Sequence, residues 1–318
     1  MGTGPRIVSL LPSATEIVCA LGLGESLVGV THECDFPASV VGKPVLTASR
    51  ISHERMSSAE IDHAVRSQLD GHGSIYNLDE KLLAELKPDL IITQELCEVC
   101  AVSYQTVVQA ARLIESDARV VSLEPHSIQD IFANIRTVGE LAGAASEADA
   151  LVRDLTVQLD ALAVLLTEVE TRPRTLVLEW LEPPFAPGHW VPEQVAFAGG
   201  DASFGSTGGS SRMTSYAEIR DYLPEVIVLA PCGYYKEDTL RALESTLLPH
   251  AWGKLPAVWQ DRVWAVDATS YFSRPGPRVV EGAEILLKLI HPKLFGEPNA
   301  AQAVRVPHEL MREALARP

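Results

Sequence analysis

Two short stretches concentrate the side chains best suited to hold a metal or exchange electrons. One reads Thr31-His32-Glu33-Cys34-Asp35 and the other Cys97-Glu98-Val99-Cys100. Cys-x-x-Cys spacing lets two thiolates reach one metal or close a tight redox pair. A His-x-Cys on a neighbouring loop would complete a tetrahedral set of His32, Cys34, Cys97 and Cys100. Soft sulfur with imidazole suits zinc, iron, or the open face of a cobalt or iron chelate. Three readings stand side by side: a metal or metallo-ligand contact, a thiol–disulfide redox pair, and small buried cysteines that only pack a loop. Cys19 and Cys232 bring the count to five, an odd number at scattered positions rather than a disulfide framework.

A second group is aromatic. Glu179-Trp180-Leu181-Glu182-Pro183-Pro184-Phe185 is followed closely by Gly188-His189-Trp190. The flat faces of Trp180 and Trp190 suit a planar ring system, and His189 could donate to it or ligate its metal. Tyr271-Phe272-Ser273-Arg274 adds another aromatic, and a guanidinium that pairs well with carboxylates or phosphates. The Gly/Ser run at 203–213 could close over a ligand or cradle a phosphate through backbone N–H groups. It lacks the Gly-Lys-Ser/Thr of a nucleotide loop.

The elements that must position these groups read as alternating strands and helices. Residues 6–10 are an apolar run ended by Pro12. Ser13 and Glu16 have capping-box spacing, and Gly22 and Gly24 close the helix. Residues 27–31, 90–93 and 119–122 are further strands, so 5–125 is predicted to be an α/β lobe. The pattern resumes with strands at 174–179, 226–230 and 262–266 and a closing helix at 277–291. This gives a second lobe over 171–293, with 294–318 as a peripheral tail. Between them no Pro occurs from 126 to 172, and apolar residues recur at threes and fours from Ile128 to Leu166. That period predicts one long connecting helix over 126–170. In open α/β sheets ligands bind beyond the carboxyl ends of strands, which is where Pro12, His32, Trp180 and Tyr271 fall.

Bulk properties narrow the function. The 318 residues suit two domains. A net charge of −16, from 26 Lys+Arg against 42 Asp+Glu, argues against nucleic acid or an anionic membrane surface as the main partner. No run of about 18 apolar residues is present, so no membrane insertion is expected. The opening apolar run is too short for a secretory leader, so the expectation is a cytoplasmic monomer. An exported protein whose leader has been removed is the alternative. No nucleophile–base–orienter set is visible, which predicts a non-catalytic binder.

The opening RIVSLLPSATEIVCALGLGESLVGVTHECDFP, the phrase LKPDLIIT and the segment FAGGDASFG carry a family resemblance. Over roughly 5–292 the chain resembles the cobalamin- and iron-chelate-binding proteins that serve ABC importers, of the class with a rigid interdomain helix. The resemblance implies two Rossmann-like lobes with parallel sheets joined by one long α-helix. It implies a corrinoid or other metal chelate as ligand, an ABC permease as partner, and ligand-facing aromatics at the loops of Trp180 and Tyr271. With the residues read above, the candidate ligand-facing set is Pro12, His32, Trp180, His189, Trp190, Tyr271 and Arg274. It also implies one permease-facing Glu per lobe, carried over to Glu80 and Glu218. Cobalamin-binding members place an acidic residue just before the aromatic that matches Tyr271; here it is Ser270. The competing reading is a metalloprotein or redox enzyme holding zinc or iron at His32, Cys34, Cys97 and Cys100.

Overall fold

A computed structural model describes residues 4–49, 56–72, 76–94, 104–113 and 117–316. The chain divides into two compact units. Residues 1–55, 63–125 and 129–155 make the first; residues 56–62, 126–128 and 156–318 make the second.

The first unit contains β1 (Ile7–Ser9), β2 (Leu27–Gly29), β3 (Thr47–Ser49), β4 (Tyr76–Leu78), β5 (Leu90–Thr93) and β6 (Arg119–Ser122). Its main sheet is parallel, in the order β2-β1-β5-β6, while β3 and β4 pair antiparallel beside it. The apolar run of β5 is buried on both faces, as a strand inside a parallel sheet requires. The first helix runs Pro12–Ala20 with Leu11 as its cap. It starts earlier than the capping-box spacing predicts, because Pro at the first helical position is preset for the helix and has no N–H to satisfy. Ser13 therefore lies inside the helix rather than capping it, and Glu16 is only 4% exposed.

The second unit contains β7 (Thr175–Leu178), β8 (Trp180–Leu181), β9 (Pro184–Ala186), β10 (Arg212–Met213), β11 (Val226–Leu229), β12 (Val263–Val266) and β13 (Ala303–Arg305). Strands β7, β11 and β12 are parallel, and β13 joins the edge antiparallel. Strands β8, β9 and β10 form a small antiparallel sheet that follows directly from β7. Both units are thus α/β with a parallel sheet, as the strand–helix alternation predicts.

One joint recurs in both. The Arg6 backbone N–H donates to Asp89 at 2.7 Å, and its guanidinium donates to the Leu86 carbonyl at 2.9 Å. The Arg174 N–H donates to Glu225 at 3.0 Å, and its guanidinium to the Leu223 carbonyl at 2.9 Å. In each case a seven-residue helix, Glu80–Leu86 or Tyr216–Tyr222, ends in a left-handed residue before Pro. Those residues are Lys87 (φ 44°) and Leu223 (φ 53°). The acidic side chain after the Pro then ties the next strand to the start of the first strand of its unit. The echo between LKPDLII and LPEVIV is therefore a repeated structural joint.

Two expectations are corrected. The single helix over 126–170 is two helices, Ile128–Ala142 and Ala145–Leu165. Gly143 takes φ 75° and ends the first; the second packs against it where Gly139 meets Ala148. The apolar period survives the break because both helices turn their apolar residues inward, so spacing alone does not reveal it. The tail is not peripheral either. Strand β13 extends the sheet, and Val306, Met311 and Ala314 lie in the core with Trp252 and Leu248.

Candidate functional site

The order of a parallel sheet locates its ligand edge. In the first unit β2 and β5 flank β1 on opposite sides, so the order reverses beside β1. Beyond the carboxyl ends there lie Pro12, buried at the start of its helix, and the buried Thr93 and Gln94. His32 and Cys34 follow β2. The Cys34 sulfur lies 3.1 Å from the Thr15 hydroxyl, which donates to Ser9 at 2.9 Å, and the thiol also donates to Thr31 at 3.7 Å. His32 is held separately. Its Nδ1 is 2.7 Å from the Thr47 hydroxyl, which also accepts the His32 backbone N–H at 3.2 Å. Tyr76 donates to Glu33 at 3.2 Å and its ring lies 5.6 Å from that of His32. Burial pushes the His32 pKa down, favouring the neutral ring.

The imidazole and the thiol of the His-x-Cys thus answer to different hydroxyls. Cys97 and Cys100 lie outside the described residues. Among those described, no group of three or more His, Cys, Asp or Glu side chains is arranged to hold a metal.

In the second unit β7 ends the sheet order, with β11 on one side and, among the described residues, only an isolated bridge between Arg174 and Asp201 on the other. Beyond the carboxyl ends of β7 and β11 stand Trp180 and Tyr234, edge to face with ring centroids 5.3 Å apart. Tyr271 follows β12 on a short helix, Ala268–Tyr271, capped by Asp267. The Arg278 guanidinium lies 5.5 Å from its ring, and Gln194 donates to its carbonyl at 3.0 Å. Trp180 and Tyr271 are partly exposed. Trp190 is placed differently: it is 6% exposed and its indole N–H donates to the Phe272 carbonyl at 3.0 Å. Arg274 is likewise 6% exposed, in the turn before the closing helix.

His189 adopts φ 52° beside His126, with ring centroids 5.7 Å apart. Burial and then the neighbouring His126 push its pKa down. The Gly/Ser run that sequence offers as a phosphate cradle spends its backbone on its own protein. His189 N–H donates to Gly209 at 2.6 Å, Gly208 N–H to His189 at 3.0 Å, and Ser206 N–H to Pro187 at 2.9 Å. Glu179 completes the seat by accepting from Gly188 N–H at 3.3 Å and from the Ser211 hydroxyl.

Glu80 and Glu218 occupy different helical positions. Glu80 is the exposed first residue of its helix, next to the capping Asp79. Glu218 is the third residue of its helix and closes a capping box with Ser215. Its carboxyl pKa is held down by the Thr214 hydroxyl, then by the Ser215 N–H and Arg212. The residue at the first helix's third position is Leu82, so the two glutamates are not equivalents. Sequence reasoning missed Tyr234 and Thr47. Tyr234 sits beyond the carboxyl end of β11, where the strand-end rule would have found it. Thr47 lies on β3, a strand without a long apolar run.

His32, His189 and His291 all have pKa values lowered chiefly by burial. Their unfolded values are about 6.5. A lowered folded value means the unfolded chain takes up protons first. Stability is therefore full above the unfolded value and falls as pH drops through it toward the folded one. The urea midpoint is expected to decline from about pH 7 to about pH 5. His291→Gln, which keeps a donor toward the Gly199 carbonyl 3.2 Å away, should flatten that decline. An unchanged pH profile in the variant refutes the assignment to His291.

Comparisons with known proteins agree with this architecture. A family model described as periplasmic binding protein matches residues 7–269. The chain is 24% identical to the uncharacterized ABC transporter substrate-binding lipoprotein YvrC of Bacillus subtilis, covering 92% of this chain and 82% of that protein. It is 24% identical to a vitamin B12-binding protein of Vibrio cholerae, covering 88% and 86%. Among solved structures, the periplasmic heme-binding protein RhuT from Roseiflexus aligns with a TM-score of 0.67 at 22% identity, covering 92% of this chain and 100% of that one. The periplasmic vitamin B12 binding protein BtuF of Vibrio cholerae aligns with a TM-score of 0.65 at 21% identity, covering 90% and 96%. These relatives correct the cytoplasmic expectation: they are periplasmic proteins or a lipoprotein, so an exported protein is expected. Among the described residues no helix is long and apolar enough to cross a membrane. With its sheet orders, strand-end residues and a family match spanning most of its length, the chain belongs to the periplasmic binding protein family.

Proposed function

We propose that the protein is a non-catalytic binder of a metal chelate, a corrinoid or haem, which it passes to an ABC importer. The observation that carries this reading is the Trp180–Tyr234 pair beyond the carboxyl ends of β7 and β11, with Tyr271 beyond the next strand. Aromatic faces at such an edge suit a large flat ring. The names of the relatives support the ligand class, since they bind vitamin B12 or heme. Within the first unit, His32, with Thr47 on one ring nitrogen, is the candidate metal contact in this reading.

The test is titration of the purified protein with hydroxocobalamin and with haemin, followed by absorption and calorimetry. Wild type is expected to bind one of them, and Trp180→Ala to bind it about 10- to 100-fold more weakly. If wild type binds neither, the reading is wrong.

A further inference from the structure

We propose that residues 56–62 form a built-in cover over the Trp180–Tyr234 pair, and that a flat ligand gains the Trp180 face only by displacing it. The ligand's identity rests on the chelate reading above; the cover itself does not. The Trp180 indole N–H donates to the Ser58 carbonyl at 3.1 Å. A carbonyl has two lone pairs, so Ser58 accepts this bond without giving up its place in the helix. Ser58 is buried, and its side chain lies beside the Tyr234 phenol, where it partly offsets the upward push of burial on that group. Residues 56–62 group with the second unit, although the chain on either side belongs to the first.

The cover is an ordered piece of chain. Ser57 N–H donates to Glu60 at 2.8 Å and Glu60 N–H to the Ser57 hydroxyl at 3.3 Å, which starts the helix Ser58–His72. Ile61 is buried one turn on. The segment therefore meets the aromatic pair as a formed helix end, anchored by an indole bond, rather than as loose chain. A ligand that stacks on Trp180 binds only the fraction of molecules in which the cover is off, which lowers its apparent affinity by that fraction.

The experiment compares the full-length wild type with Trp180→Phe, Tyr234→Phe and the double variant. Phe keeps the ring faces and removes the indole N–H or the phenol. Amide hydrogen exchange over 57–62 is expected to quicken about 3- to 10-fold in Trp180→Phe, while the helix Val191–Phe197 stays as protected as in wild type. Hydroxocobalamin and haemin serve as probes. Whichever binds wild type should bind Trp180→Phe about 3-fold or more tightly and should itself quicken exchange over 57–62. Unchanged exchange in the double variant overturns the cover, as does a bound chelate that slows exchange there. If neither chelate binds wild type, the chelate reading fails while the exchange of the variants still decides the cover. Should Trp180→Phe fold poorly by circular dichroism, Trp180→Tyr, which also lacks the indole N–H, carries the same test.

Discussion

Replacing Gly188 with Val is expected to cost about 3 kcal/mol or more and to free the 203–211 loop. A Cβ at Gly188 would lie 2.3 Å from the Ser211 nitrogen, 2.5 Å from the Ser210 carbonyl carbon and 2.6 Å from the Gly209 oxygen. All three are backbone atoms, so no rotamer change relieves the clash. The loop or the strand end must move, and with it go the bonds from His189, Gly208 and Ser206 that seat the loop. Urea unfolding reads the loss of stability, and limited proteolysis reads new cleavage within 203–211. Gly208→Ala is the contrast. It has φ 69° but nothing within 4 Å of the added carbon, so only backbone strain applies and the cost is about 1 kcal/mol. A Gly188→Val protein as stable as wild type would remove the close-packing argument.

The second large effect lies at the far end of the chain. Ending the protein at residue 302 is expected to unfold the second unit at ordinary temperature. The cut removes β13, leaving β12 with an open edge, and takes Val306 and Met311 out of the core around Trp252. Burial of two such side chains is worth about 3–6 kcal/mol, before the strand bonds are counted. Typical stabilities are about 5–15 kcal/mol, so little would remain. The Arg305 guanidinium, 4.4 Å from the Trp264 ring centroid and paired with Glu297 at 2.7 Å, leaves with the same segment. Near-ultraviolet circular dichroism should lose its tryptophan signal. A truncated protein that melts cooperatively near the wild-type temperature would show the segment to be dispensable.

Much of the fold was legible because buried parallel strands show as short apolar runs. LIIT, VIVL and VWAV lie within the predicted strands, each followed by side chains at the ligand edge. What was not legible depends on the third dimension. The period from Ile128 to Leu166 cannot register the short break at Gly143 when both helices bury the same face. Trp180 and Trp190 look alike as residues near a strand end, yet one is partly exposed and the other donates inward to Phe272. His32 and Cys34, two positions apart, read as one ligand set, but a hydroxyl on β3 claims the first and a hydroxyl on the first helix claims the second. Tail residues such as Met311 carry no local sign that a core waits for them.

The repeated arginine joint bears on how the chain finds this fold. Each joint pins the start of its unit's first strand to the acidic residue that opens its neighbour, and so closes a loop of the polypeptide. The separation is 83 residues in the first unit and 51 in the second. Because closure entropy grows only with the logarithm of loop length, the two closures differ by about 0.4 kcal/mol. Neither sheet gains a topological head start, so the order in which they form is left to the direction of synthesis and to what each stretch meets as it emerges.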